Sequence, residues 1–350
     1  MSLSRTRRKH VMTPDTAHTP PARPHERLAD WLADDMAAVN DLIAGRMASR
    51  HAPRIPQVTA HLIGAGGKRL RPLLALAAAR MFETGLEGRH IKLAATVEFI
   101  HTATLLHDDV VDESARRRGR PTANLLWDNK SSVLVGDYLF ARSFQMSVET
   151  GNLRILDILS EAAATLAEGE VLQLTAAGDL TTTEEVYLQI VRGKTAALFA
   201  AATEGGAVAA GASEAQAQAL RVYGDALGIA FQMVDDFLDY GGAGDRIGKD
   251  IGDDFREGKI TLPVIRALAC ADEDERAFWR RCIGRGQQED GDLARALQIL
   301  ARHGALEATR AAALGWVAQA KAALDAGNLP AHPLRDMLAD LADYVVERVV

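Results

Sequence analysis

Glu98-Phe-Ile-His-Thr-Ala-Thr-Leu-Leu-His-Asp-Asp-Val-Val-Asp112 is an apolar stretch that ends in three aspartates, and Phe231-Gln-Met-Val-Asp-Asp-Phe-Leu-Asp-Tyr240 repeats that design further along the chain. In both, the first and last aspartates stand four residues apart. On a helix that spacing puts two side chains on one face, one turn above the other. Like charges so placed repel, and carboxylates near a helix C-terminus oppose the macrodipole. One such cluster is most simply a solvated helix end. Two with the same DDxxD spacing, each closing an apolar helix, need compensation. Hard divalent cations provide it, since Mg²⁺ is commonly held by a few carboxylates together with phosphates and water.

Outward from these stretches the chain reads as helix almost throughout. Alanine is abundant and β-branched, aromatic-rich runs are absent, a composition that favours helix. Apolar residues at helical spacing (Leu28, Leu32, Met36, Val39, Ile43) predict a helix over 28–47, broken by Pro53 and Pro56. Further helices are expected to 82, over 89–111, 132–148, 155–174, 183–210, 214–240 and 261–270, and through most of the remainder. Thr181-Thr-Thr-Glu184 has the character of an N-terminal cap, and Gly241 ends the helix before it. Residues 113–121 and 244–259 read as charged, glycine-containing loops. No strand and no repeat of solenoid period is expected. Residues 1–25, basic and proline-rich, are expected to form a disordered tail, and 26–350 one helical domain, since no linker interrupts it.

The chain has 350 residues, of which 48% are hydrophobic and 25% charged, enough for a large core. Its formal charge of −7, with only 5% aromatics, argues against a nucleic-acid partner. Cys270 and Cys282 are the only cysteines, which excludes a cysteine-based metal centre and points to a reduced, cytoplasmic setting. The most apolar run, 73–79, is far short of the about 20 residues that span a bilayer. The prolines at 14, 20, 21 and 24 disfavour an amphipathic targeting presequence in the basic tail.

Positive charge lies beside glycine in two places, Gly66-Gly-Lys-Arg-Leu-Arg-Pro72 and Arg116-Arg-Arg-Gly119. Each alone is an ordinary solvated surface. Beside two metal-type acidic clusters they describe pockets for more than one phosphorylated group, with Arg forks suited to bidentate contacts. Gly193-Lys-Thr195 does not complete a phosphate-binding P-loop, because Leu188 stands where glycine is required, and Ile247 spoils a GxGxxG reading of 241–248. His107 reads as a helix-face residue, while His101 is as easily structural as functional.

Several of these motifs, in this order, resemble the trans-isoprenyl diphosphate synthases (polyprenyl synthetases) of the long-chain, octaprenyl to decaprenyl type. They are GGKRLRP at 66–72, EFIHTATLLHDDVVDESARRRG at 98–119, GKT at 193–195, and FQMVDDFLDY with GKD, IGDD and EGK at 231–259. The resemblance runs from about residue 28 to the C-terminus. It implies an all-α fold, a single large helical bundle of the isoprenoid synthase type around a central cavity. It implies Mg²⁺, three ions, bound by Asp108, Asp109, Asp112, Asp235, Asp236 and Asp239, with Asp108, Asp112 and Asp235 as direct ligands. Arg117, Lys194, Thr195, Gln232, Lys249 and Lys259 would contact the allylic diphosphate, and Gly67, Lys68, Arg71, His101 and Arg118 isopentenyl diphosphate. Asp108, Asp112, Asp235, Lys194 and Arg117 would carry the catalytic work. Arg116 makes three arginines where the family usually has two, so the register of Arg117 and Arg118 rests on Gly119.

The implied activity is successive head-to-tail condensation of isopentenyl diphosphate onto an allylic primer, for a quinone side chain. The implied assembly is a homodimer, with a peripheral membrane contact for product release. A class I terpene cyclase shares the fold and the first acidic motif, but has no use for a second diphosphate site. A regulatory subunit of a heteromeric synthase would tend to lose the acidic motifs. A farnesyl or geranylgeranyl synthase is distinguished by product length. Here the resemblance points to Ala103, Thr104 and Ile100, below Asp108 on the same helix. At about 1.5 Å per residue Thr104 lies ~6 Å beneath Asp108. Small residues there would leave a growing chain room to descend, although Phe99 lies close by.

Overall fold

The computed structural model describes residues 22–49, 51–64, 66–82, 85–117, 119–241 and 251–347. The tail expected at 1–25 therefore falls mostly outside the described residues. Eleven helices lead up to and include the second acidic cluster: α1 Pro24–Trp31, α2 Ala33–Met47, α3 Arg54–Gly64, α4 Leu70–Arg80, α5 Arg89–Val111, α6 Ala123–Leu126, α7 Asn129–Glu149, α8 Leu153–Ala176, α9 Glu184–Val191, α10 Ala197–Ala209 and α11 Glu214–Tyr240. Short helices Asp253–Arg256, Leu262–Cys270, Glu273–Trp279 and Asp292–Arg302 follow, and then the long Ala305–Ala326 and Pro333–Glu347.

The all-α expectation holds, with local differences that have physical causes. Pro24 opens α1 at its first turn, where a missing N–H costs nothing, so helix begins inside the expected tail. The predicted helix over 28–47 is interrupted at Leu32, whose backbone (φ −104°, ψ 20°) is not helical. Pro56 breaks nothing, because it lies in the first turn of α3. The loop after α5 contains one minimal antiparallel ladder, β1 (Arg116–Arg117) against β2 (Arg120–Pro121), which composition did not suggest. The segment expected as one helix over 183–210 is α9 and α10 joined by a π-helical turn, Arg192–Ala196. Thr183 caps α9 as expected, its hydroxyl accepting the Val186 amide.

α10 is the centre of the bundle, packed by α4, α5, α8 and α11. Nearly every side chain on it is buried, so it is apolar all round rather than amphipathic. Its alanines and glycines let neighbouring backbones approach closely. A Cβ on Gly206 would stand 2.4 Å from the Ala75 carbonyl oxygen of α4. A second, smaller core lies beyond α11, where Phe255, Phe278, Trp279, Cys282 and Leu300 are buried together. It carries the chain segment that follows the second acidic cluster, and Gln288 Nε2 donates to the Phe255 carbonyl at 2.7 Å.

A forked ion pair braces this smaller core. Arg281 donates through both terminal nitrogens to Asp292, at 2.8 and 2.7 Å, and the Glu289 amide donates to the same carboxylate. The Arg281 guanidinium holds the Asp292 carboxyl well below the usual carboxylate range. A depressed folded-state pKa contributes stability above the unfolded value, near ~4, and loses it as pH falls through the folded value. Asp292→Asn should therefore melt at a lower temperature than wild type at pH 7. The gap should close as the pH is taken below about 4; identical melting at pH 7 would show the pair to be inert.

Candidate active site

Both acidic clusters close long helices, as their sequence predicts. Asp108 and Asp109 occupy the last turn of α5 and Asp112 its C-terminal cap, while Asp235, Asp236 and Asp239 occupy the end of α11. A single side chain shows that the two ends face one another. Lys259, on the segment beyond α11, places Nζ 3.4 Å from Asp112 Oδ2. That segment is itself fastened to the second cluster, because Asp239 accepts the amides of Asp253 at 3.2 Å and Asp254 at 3.0 Å. Burial works against the Lys259 charge, yet Asp112, Glu257 and Asp254 outweigh it and raise the Lys259 pKa.

Lys194 is delivered by the π-helical turn. α8 crosses it so closely that a Cβ on Gly169 would meet the Lys194 amide nitrogen at 2.7 Å, and only glycine fits there. The next residue, Glu170, receives Lys194 Nζ at 2.8 Å. Thr195 donates to Gln232 Oε1 at 2.9 Å, and Gln232 Nε2 donates to Asp236 at 2.8 Å. Burial pushes the Asp108 carboxyl up to about 7, with Lys194 opposing and Glu170 reinforcing the rise. Burial likewise raises Asp109, although Arg117 Nε donates to its Oδ1 at 2.7 Å. Asp109 Oδ2 is buried with no hydrogen-bond partner.

A cavity of about 300 Å³ opens beside the first cluster. Gly67, Lys68, Arg71, His101 and Arg117 all line it, so the glycine-flanked basic loop and Arg117 meet there. Gly66 and Gly67 take positive φ (74° and 149°), which aims the loop inward, and even Arg69 is left-handed at 48°. Glu98 of α5 holds Arg69 in that conformation through an ion pair of 3.1 Å. Arg71 Nη1 donates to His101 Nε2 at 3.3 Å, and its guanidinium lies 4.6 Å over the Phe199 ring. Lys68 Nζ stands 5.4 Å from the centre of the Tyr344 ring. Lys68, Arg69, Arg71 and Arg117 face only Glu98 and Asp109 among the carboxylates of the lining, which suits an anion.

The structure thus brings together Asp108, Asp109, Asp112, Lys194 and Lys259 at one rim, with Thr195, Gln232 and the second cluster opposite. Arg117, expected at the allylic side, lines the cavity of Lys68 and Arg71 and bonds Asp109. Arg118 and Lys249 lie outside the described residues. Ala103 and Ile100 are buried and Thr104 half-buried, and none of the three lines the Lys68 cavity, whose α5 wall is Glu98, His101, Thr102, Leu105 and Asp109. His107 is a helix-face residue, stacked on Phe140 and donating to the Val133 carbonyl. Sequence reasoning missed Glu98, Glu170 and Tyr187. Glu98 could have been found from its i, i+3 spacing to His101; the other two have partners on distant elements.

Residues 52–300 match the family described as Polyprenyl synthetase. The chain belongs to the polyprenyl synthetase family. It is accordingly a prenyltransferase, and the family works with divalent metal ions. The octaprenyl diphosphate synthase of Escherichia coli is 43% identical over 324 residues, 92% of this chain and 98% of that protein. Among solved structures, a decaprenyl diphosphate synthase from Rhodobacter capsulatus is 69% identical, with a TM-score of 0.90, covering 93% of this chain and 100% of that one. A polyprenyl synthase from Caulobacter crescentus, complexed with calcium and isoprenyl diphosphate, is 52% identical with a TM-score of 0.88 over 93% and 98% of the two chains.

The two cationic groups should separate kinetically. Lys68→Ala or Arg71→Ala should raise KM for isopentenyl diphosphate by about tenfold or more, the worth of one charge-assisted contact. Lys194→Ala should instead raise KM for the allylic primer. Steady-state kinetics with each substrate varied in turn checks this, and equal weakening of one substrate by both sets would merge the pockets.

Proposed function

We propose that this chain is a long-chain all-trans polyprenyl diphosphate synthase. It extends an allylic diphosphate, such as farnesyl diphosphate, with isopentenyl diphosphate to octaprenyl–decaprenyl length for a quinone side chain. The observation that carries the reading is Lys259 bridging from the second acidic cluster's own segment to Asp112 of the first, beside a cationic cavity of its own. One rim for a leaving diphosphate and one pocket for a retained diphosphate are what a condensation of two such substrates requires.

The donor set fits a divalent metal. Asp108 is pushed up to about 7 by burial and Asp109 keeps a buried oxygen without a partner, so the protein's own cations leave the first cluster under-compensated. Among the described residues no three acidic, His or Cys side chains form a cage, which suits an ion that also takes substrate phosphates as ligands. Asp108, Asp112 and Asp235 would hold Mg²⁺, three ions by family resemblance, with Asp109, Asp236 and Asp239 behind them. Metal bound there supplies charge neutralisation that favours departure of diphosphate. Lys194 and Lys259 add to it from the protein. Lys68, Arg71 and His101 hold isopentenyl diphosphate so that its double bond meets the allylic carbon. Apolar helix walls exclude the water that would quench the allylic carbocation left when the C–O bond breaks and diphosphate departs.

The purified chain should therefore convert farnesyl and isopentenyl diphosphates with Mg²⁺ to products of octaprenyl to decaprenyl size, read by chromatography after dephosphorylation. EDTA should abolish turnover. Ala103→Tyr or Thr104→Phe should shorten the product to farnesyl or geranylgeranyl size while condensation continues. A wild type that stops at farnesyl, or bulky variants with unchanged product, would overturn the long-chain reading.

The homodimer belongs to the same reading. Leu134, Phe144 and Val148 of α7 and Leu153, Val171 and Leu174 of α8 are large apolar side chains left exposed on two helices that pack against each other. No helix among the described residues is long and apolar enough to cross a membrane, so membrane contact on product release would be peripheral. Cys270 and Cys282 are both free thiols, in keeping with the cytoplasm. Sedimentation should give a dimer at micromolar concentration, and Leu134→Glu combined with Phe144→Glu should shift it toward monomer. An active wild-type monomer would refute the dimer.

A further inference from the structure

Asp236 belongs to the second cluster by sequence but not by surroundings. Only 3% of it is exposed, and both its carboxylate oxygens accept hydrogen bonds from protein donors. Tyr187 OH donates to Oδ2 at 2.6 Å, and Gln232 Nε2 donates to Oδ1 at 2.8 Å. Gln232 is in turn oriented by Thr195, which donates to its Oε1 and so turns its amide nitrogen toward the carboxylate. Tyr187 is itself 3% exposed, so no water competes for its hydroxyl. These four residues tie α9, the π-helical turn and α11 together at one buried point.

The end of α11 needs such a tie. Asp235, Asp236 and Asp239 crowd negative charge into one turn, just before the helix stops at Tyr240. Their repulsion favours fraying or rotation of that turn, and the helix dipole gives no help at a C-terminus. A buried carboxylate with two donors resists this rotation, because moving it would leave both donors and the acceptor buried without partners. Burial also pushes Asp236 up to about 7 against the pull of the two hydrogen bonds, a sign of how dry the point is.

We propose that Tyr187 is a positioning residue for the second aspartate cluster: with Gln232 it fixes Asp236 as an internal anchor, not a metal ligand, and the anchor sets the direction in which Asp235 and Asp239 project. The proposal rests on the reading of that cluster as a metal–diphosphate site. It assigns Thr195 and Gln232 a share in the anchor in addition to any contact with substrate.

The test uses the full-length purified chain with Mn²⁺ and inorganic diphosphate, free Mn²⁺ being read by electron paramagnetic resonance. Tyr187→Phe removes one oxygen. It should weaken Mn²⁺ retention by about 10- to 100-fold, the usual effect of losing a group that orients a ligand. It should also lower kcat and leave KM for isopentenyl diphosphate within about twofold, with a melting temperature that leaves the variant fully folded at the assay temperature, so that a smaller folded fraction does not account for the loss. Asp236→Asn keeps an acceptor for Tyr187, and a flipped Gln232 amide can serve its new NH₂ group, so retention should stay within about threefold of wild type. Asp235→Asn should lose it. Unchanged Mn²⁺ retention in Tyr187→Phe, or loss in Asp236→Asn as complete as in Asp235→Asn, would overturn the proposal. If Tyr187→Phe does not fold, the Asp236→Asn comparison decides alone. A wild type that retains no Mn²⁺ overturns the reading of the site and the anchor with it, whereas a wild type that retains it and a Tyr187→Phe that matches it overturn the anchor only.

Discussion

Carboxylates gathered at the C-terminal ends of α5 and α11 set the terms for the rest of the molecule. Each helix dipole already makes its end negative, and each end is buried enough to drive one carboxyl up to about 7. Separate elements answer with one group apiece: Arg117 from β1, Lys194 from the π-helical turn, Lys259 from beyond α11, and Tyr187 from α9. The bundle brings these groups to one place. What they leave uncompensated is the capacity for a cation and a phosphate-bearing substrate.

That arrangement explains why the centre is built from small residues. A π-helical turn widens the backbone locally, and here α8 lies against it with glycine on both sides, Gly169 and Gly193. The close approach puts Glu170 within reach of Lys194 and aims Thr195 at Gln232. A bundle with larger side chains on α10 would hold α4, α8 and α11 further apart, and the cationic and acidic groups would not meet.

Much of this was legible in the sequence, for identifiable reasons. The helices follow from composition and periodicity, and the acidic ends follow from aspartates at i and i+4. The basic loops stand beside glycines that need positive φ, which is a local signal. Other features are set by partners far along the chain. Asp236 carries the same letter as Asp235, and only Tyr187, on another helix, distinguishes the buried residue from its neighbour. Glu170 looks like one more surface acid of α8 until Lys194 is placed beside it. The break between α9 and α10 leaves no mark in Arg192-Gly-Lys-Thr-Ala196, because an alternative helical turn uses the same residue types as a regular one. Arg117 illustrates the limit of register reasoning, since its place on a short ladder, opposite Arg120, is not marked in the run of arginines.

The smaller aromatic core around Phe255 and Trp279 has a consequence for how the two halves of the rim respond to load. Asp112 is mounted on the main bundle, while Lys259 is mounted on a segment gripped at one end by Asp239 and at the other by that core. The 3.4 Å between them therefore spans the main core and the smaller one, which meet at Ile265. The Lys259 side of the rim thus takes its position from Asp239 and from the packing around Phe255, whereas the Asp112 side takes its position from α5. The spacing of Lys259 and Asp112 accordingly depends on how Phe255, Trp279 and the Arg281–Asp292 brace are packed as well as on the groups that meet at the rim.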